Sequence, residues 1–312
     1  MLRGSRWARA LTVLALGAGL MTVPASAAEN EQFPGLPEAS GVQYIGALVT
    51  GLGGSARAKQ FFLIPIAVSA IDVSTTQAPQ TPARVEEFNA RPGPPPCDLA
   101  PNPNGDILMT VSRVYPVSPP GSPDAYGTFA PITVRTVALG SVPSEAVISI
   151  ALSRDEEGLP TGLVAHQSEA ACNDGTLGRR IADATVEGTV TVSISDIEVD
   201  GVDLQLHGAC RAVGTLDLVG QGFLTNDPDV DRDKVYAAAA GGFLTGTLDL
   251  SEFTGCARST GEDVSPLISG LVSGPDNPVE IRQGAIGACF PSGDLSWCTV
   301  PDTFDLSDTP DF

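Results

Sequence analysis

Apolar and polar residues alternate with a period of two over much of this chain. In residues 185–194, Val186, Val190, Val192 and Ile194 share one face, and Glu187, Thr189, Thr191 and Ser193 share the other. That period is the mark of a strand buried on one side. The phase then slips, with Ile197 and Val199 apolar, and returns at Val202, Leu204 and Leu206. A bulge or tight turn near Ser195-Asp196 would produce the slip. Residues 107–114, 132–139 and 146–152 are β-branched runs of strand length. Residues 42–73 hold two apolar stretches split by Gly51-Leu-Gly-Gly-Ser55, which reads as a Gly-rich turn. The helix candidates are short: 83–89 and 265–272.

One pattern recurs. Gly214-Thr-Leu-Asp-Leu218 reappears as Gly246-Thr-Leu-Asp-Leu250, and Gly222-Phe-Leu-Thr225 as Gly242-Phe-Leu-Thr245. Pairing Leu216 with Leu250 and Leu218 with Leu248 would gather four leucines on one face. It would also set Asp217 opposite Asp249, and like charges facing across a ladder are unfavourable. So the register differs, the strands are not neighbours, or a cation sits between them.

Proline divides the rest. Residues 76–104 hold eight prolines, and a second Pro-rich loop covers 116–123. Proline lacks a ladder donor, so 76–104 reads as an extended loop or linker rather than core sheet. Residues 28–40 read as a loose N-terminal segment. The whole is an all-β pattern: an antiparallel β-sandwich, either one large unit or two packed modules. A soft boundary near residue 183 separates a 28–183 module from a 184–298 module, and 299–312 forms an acidic tail.

The first 27 residues carry Arg3, Arg6 and Arg9, then an apolar run over 11–23, then Ala25-Ser26-Ala27. This is the layout of a secretory signal peptide. Thirteen apolar residues fall short of the ~20 that cross a bilayer. No later run is long enough, so the expected mature chain has no transmembrane segment. The 312-residue chain has a formal charge of −20, which becomes −23 without the three leader arginines. That charge excludes a basic nucleic-acid binder. With 42% hydrophobic residues the chain is neither disordered nor a coiled coil. Six cysteines in an exported protein read as three disulfides. Spacing does not choose among fifteen pairings; the expectation is neighbour with neighbour: Cys97–Cys172, Cys210–Cys256 and Cys289–Cys298.

Catalytic motifs are scarce. There are two histidines, His166 and His207, and neither H-E-x-x-H, G-x-S-x-G nor a Walker A motif occurs. His166 lies near Glu169 and Asp155 in sequence, which makes it the first candidate for a triad, and His207 stays open because triads are assembled in space. Paired carboxylates could serve a glycosidase, yet aromatics are only 5% and sugar sites favour aromatic platforms. Gly51-x-Gly53-x-x-Ala56 with Asp72 is a weak echo of a dinucleotide-binding loop. Asp227, Asp229, Asp231 and Asp233 alternate in one run. Oxygen ligands at that spacing make it the candidate Ca²⁺ loop. Arg232 within the run and the missing EF-hand Gly and Glu favour a solvated hairpin instead. No other cofactor is expected.

Residues 206–289 resemble a group of exported actinobacterial proteins of unknown function. The likeness is carried by His207-Gly-Ala-Cys210, by Gly242-Phe-Leu-Thr-Gly-Thr-Leu-Asp-Leu-Ser-Glu-Phe-Thr-Gly-Cys256, and by Gln283-Gly-Ala-Ile-Gly-Ala-Cys289. Fifteen arginines against two lysines suit a GC-rich genome. The resemblance implies secretion and a disulfide-bonded β fold, and brings no catalytic residue. The functional expectation is a non-catalytic exported binding or envelope-associated module. The alternative is a secreted hydrolase using carboxylates or a His166-centred site.

Overall fold

A computed structural model describes residues 28–304, except 42, 92, 94–96, 98, 100–101, 139–141, 174–177, 183, 208, 232–233, 293–297 and 302–303. The leader and most of the acidic tail lie outside the described residues. The strands are β1 Tyr44–Ser55, β2 Gln60–Gln80, β3 Asn102–Pro116, β4 Ile132–Ala138, β5 Val142–Leu152, β6 Leu163–Ala171, β7 Arg179–Ile181 and β8 Ala184–Val199. They continue as β9 Val202–Asp203, β10 Leu206–His207, β11 Arg211–Gly220, β12 Phe223–Leu224, β13 Tyr236–Ala237, β14 Gly241–Leu250, β15 Ala257–Arg258 and β16 Gly274–Gln283. Two helices, α1 Pro82–Ala90 and α2 Ser265–Val272, match the two short candidates closely.

The fold is all-β, antiparallel and disulfide-bonded, as expected, but the sheet closes into an eight-stranded barrel instead of a sandwich. The ring runs β1-β2-β3-β6-β8-β11-β14-β16 and returns to β1, each strand antiparallel to the next. Two pairings close it. β1 meets β16 from Val49↔Gln283 to Gly53↔Val279. β6 meets β8 over Val164↔Glu187, Ala165↔Val186 and His166↔Thr185. Closure removes the unpaired edges that a sandwich would leave on β1 and β16. Strands from both sides of residue 183 enter this one ring.

β8 is longer than its share of the ring. Beyond Glu187 it leaves β6 and pairs with β5 from Leu152↔Val190 to Ser144↔Val199. β4 pairs with β5 and packs beside β2. The β4–β5 hairpin therefore completes the wall at one end of the barrel. The expected phase slip is present: Asp196 has φ +49° and the β5–β8 register shifts between Glu145 and Val147. The echoed segments are neighbours. Leu216 faces Leu248, so Asp217 faces Thr247 and Asp249 faces Thr215. A two-residue shift relieves the charge conflict.

Three expectations need correction. Gly51-Leu-Gly-Gly-Ser55 is not a turn, because β1 continues through it and the turn is Ala56–Lys59. The Phe62 ring lies over Gly53, where a Cβ would come within 2.5 Å of it. Residues 76–104 are not a free linker. β2 extends to Gln80 with Pro79 paired to Asp106, α1 follows, and Cys97 is bonded to Cys172. Arg180, 1% exposed, donates to Asn89 Oδ1 and Arg91 O and covers the Phe88 ring, tying α1 down. Residues 28–40 are not loose. Leu36 is fully buried, and Asp72, 2% exposed, accepts Ser40 N, Ser40 Oγ and Gly41 N. The segment covers the outside of β1–β3, where Phe33, Tyr44, Tyr115 and Phe290 pack edge to face or tilted. Of the expected 116–123 loop, Pro116 is the last residue of β3, paired with Ser69, and residues 117–123 lie outside the strands.

Candidate functional site

The barrel interior is apolar and nearly filled. Val49, Ile64, Ala165, Val186, Leu216, Leu218, Leu244 and Val279 point into it, leaving a lumen of about 90 Å³. Its lower end carries a buried polar cluster. Tyr236 Oη donates to Gln283 Oε1, Gln283 Nε2 donates to Ala238 O, and Ala238 N donates to Gln167 Oε1.

The end completed by β4–β5 is different. It holds a cavity of about 610 Å³. One wall is Val134, Ala146, Ile148 and Ile150 from the β4–β5 hairpin, with Val192 and Ile194 from β8. The opposite side is Phe61 and Phe62 of β2 and Leu248 and Leu250 of β14. Phe253 and the Gly270-Leu271-Val272 end of α2 form the rest. Gly54, Phe62, Ile150 and Leu248 border both cavity and lumen. Among the described residues, Arg57 is the single charged side chain lining the cavity.

The rim is built locally. Asn277 Nδ2 donates to Leu248 O and Gly274 O, and its Oδ1 accepts Ala56 N at the start of the β1–β2 turn. α2 is anchored on its far side. Ser269 Oγ accepts Phe253 N, Ser265 Oγ accepts Cys256 N, and Cys256 is bonded to Cys210 at the foot of β11. Asp263 Oδ1 accepts the N and Oγ of Ser265, and these bonds hold its carboxyl below the usual range. A polar recess of about 650 Å³ adjoins the cavity, with Arg57, Leu250, Phe253 and Gly270 common to both.

No protein-family model, curated protein or solved structure matches this chain.

The candidate residues drawn from the sequence lie elsewhere. His166 is exposed on the outer wall, between Val111 of β3 and Thr185 of β8. Glu169, three residues on, takes the opposite face and ion-pairs with Arg179. Asp155 Oδ1 accepts Glu157 N and Leu159 N in its own turn. The His207 backbone is in β10 and its side chain lies outside the described residues. Asp227 Oδ1 accepts Asp229 N, and Asp231 ion-pairs with Lys234 at 3.0 Å. Asp233 lies outside the described residues. Among those described, no three His, Cys, Asp or Glu side chains gather as a metal site. The three disulfides have the expected pairing, nearest neighbours in sequence. Asp72 is a clasp for the N-terminal segment, not part of a dinucleotide loop.

The cavity itself had a faint signal in the sequence. Ile148, Ile150, Val192 and Ile194 stand in the β-branched runs already read as strands. Their common destination depended on β8 being shared by β5 and β6.

Proposed function

We propose that the chain is a non-catalytic binding module that holds an apolar small molecule at the mouth of its barrel. The observation that carries this reading is the cavity of about 610 Å³, walled by aliphatic and aromatic side chains on rigid strands. Ligand sites of roughly 300–1,000 Å³, mostly apolar with a few polar groups, are the usual form of small-molecule pockets. Eight-stranded barrels hold one small ligand at such a mouth. Burial of apolar surface supplies the driving force.

Three disulfides and the leader-like first 27 residues support export to an oxidising compartment. Among the described residues no helix is long and apolar enough to cross a membrane. The outer wall carries Glu187, Asp217, Asp249 and Glu280, charges that suit water rather than lipid. A role at the cell envelope fits a carrier of lipophilic molecules.

The test is Nile red, a neutral dye whose fluorescence rises in apolar surroundings. The oxidised chain is expected to bind it saturably. Ala146→Trp, which fills the cavity from the β5 wall, is expected to abolish binding while leaving the unfolding midpoint within a few degrees. Absence of saturable binding, or binding indifferent to Ala146→Trp, refutes the reading.

A further inference from the structure

We propose that the ligand is a single-chain amphiphile with one anionic head, its alkyl chain in the apolar cavity and its head at Arg57. This rests on the cavity being a ligand site and adds the head-group chemistry.

Arg57 stands in the β1–β2 turn, where the apolar cavity and the polar recess meet. Its side chain is exposed and reaches across to α2. Nη1 donates to Ser269 O of α2 at 3.4 Å. The guanidinium lies over Gly274, where a Cβ would sit 3.1 Å from Nε. Gly274 has φ +147°, so its conformation and its neighbour both favour glycine. Among the described residues Arg57 forms no ion pair. A guanidinium has five N–H donors, and one long bond leaves most of them for another acceptor.

A second polar group lies in the wall of the recess. Ser273 is 4% exposed and lines the recess, and its Oγ has no hydrogen-bond partner among the described residues. That oxygen has almost no accessible surface, so a head group in the recess reaches it only when the Ser273 side chain turns outward. The exposed Arg57 guanidinium, where cavity and recess meet, is a donor set for a carboxylate or a phosphate monoester. An alkyl amine would meet a like charge, and an alcohol would make no charge-assisted bond to the guanidinium. Glu252 and Asp263 also line the recess and are exposed. Their charge disfavours an anion placed outward and so favours the inner position beside Arg57.

The experiment measures displacement of Nile red by laurate, dodecyl phosphate, dodecanol and dodecylamine, each below its micelle concentration. The oxidised chain is compared with Arg57→Gln, Arg57→Lys and Ser273→Ala. Laurate is expected to bind about tenfold tighter than dodecanol (~1.4 kcal/mol). Arg57→Gln removes that advantage and leaves dodecanol unchanged, which also shows that the variant is folded. Arg57→Lys keeps part of the advantage, and Ser273→Ala weakens laurate alone. Tighter binding of dodecyl phosphate than of laurate assigns the head to phosphate, and the reverse to carboxylate; both support the proposal. It is overturned if laurate and dodecanol bind equally, if dodecylamine binds tightest, or if Arg57→Gln weakens every ligand alike. In those cases Nile red and dodecanol still bind and the cavity reading stands. If neither binds, the cavity reading fails and the head-group proposal with it.

Discussion

Each of the four tyrosines is kept a neutral phenol by burial. Tyr115, packed against Tyr44, has its pKa pushed up to about 12, with desolvation the largest cause. Tyr44 is raised further, by burial first and then by Tyr115 and Asp72. Burial also raises Tyr126, and raises Tyr236 despite its bond to Gln283. In the unfolded chain these phenols ionise near ~10. A group whose folded pKa is raised contributes stability that is fully present below the unfolded value. Above about pH 10 the unfolded chain releases protons the folded one retains, and stability falls as pH rises towards and through 12. Phenolate absorbance is therefore expected to appear late and together with loss of near-ultraviolet circular dichroism. Phenolate formation near pH 10 with the fold intact would contradict the buried placement. The sequence could not show the burial of Tyr44, Tyr115 and Tyr126, because their cover comes from residues 28–40 and Phe290, far apart in the chain, and Tyr236 is enclosed only by closure of the barrel. Gly53 teaches the same point: a Gly-rich run reads as a turn until Phe62 is known to lie over it.

At the scale of elements, strands with one polar face were legible, since Thr185–Ile194 alternates in the sequence as it does in β8. The slip at Asp196 and both helices were also legible, because each leaves a local mark. Register was legible only as a conflict: the Asp217–Asp249 clash said that the leucine pairing could not be symmetric, and the structure resolves it by a shift of two. The splitting of β8 between β5 and β6 left no mark, and the cavity depends on it. α2 is the wall most open to test. Its far side is tied through Ser265, Ser269 and the Cys210–Cys256 bond, across a separation of 46 residues. The Cys210→Ala/Cys256→Ala variant is expected to lose ~4 kcal/mol in the chain-entropy account of disulfides. Freed of that tie, α2 also holds Nile red more weakly. Urea unfolding and dye titration measure the two effects. Lower stability with unchanged dye affinity would show that the serine bonds alone fix the helix.

For the whole molecule, closure and charge act together. β1 and β16 are far apart in the chain, and their pairing, one of the two that close the barrel, sets the turn bearing Arg57 beside Asn277. A chain with formal charge −20 repels itself in the folded state, and added salt relieves this without any specific site. Divalent cations should therefore raise the unfolding midpoint whether or not they are bound. The decisive comparison is CaCl₂ against MgCl₂ at equal ionic strength. Asp227 already accepts a backbone N–H and Asp231 faces Lys234, so this loop closes on itself through its own side chains. Equal shifts are expected from the two salts, each small beside the ~2.7 kcal/mol that a ligand at one hundred times its Kd contributes. An excess for calcium that disappears in Asp229→Asn/Asp231→Asn would mean that Asp227–Asp233 closes around an ion after all. An excess that survives the substitution would place a calcium site elsewhere on the acidic surface. Equal shifts would leave the barrel mouth as the place where a ligand changes stability, and the same melting experiment with laurate in place of the salts would then read out that site.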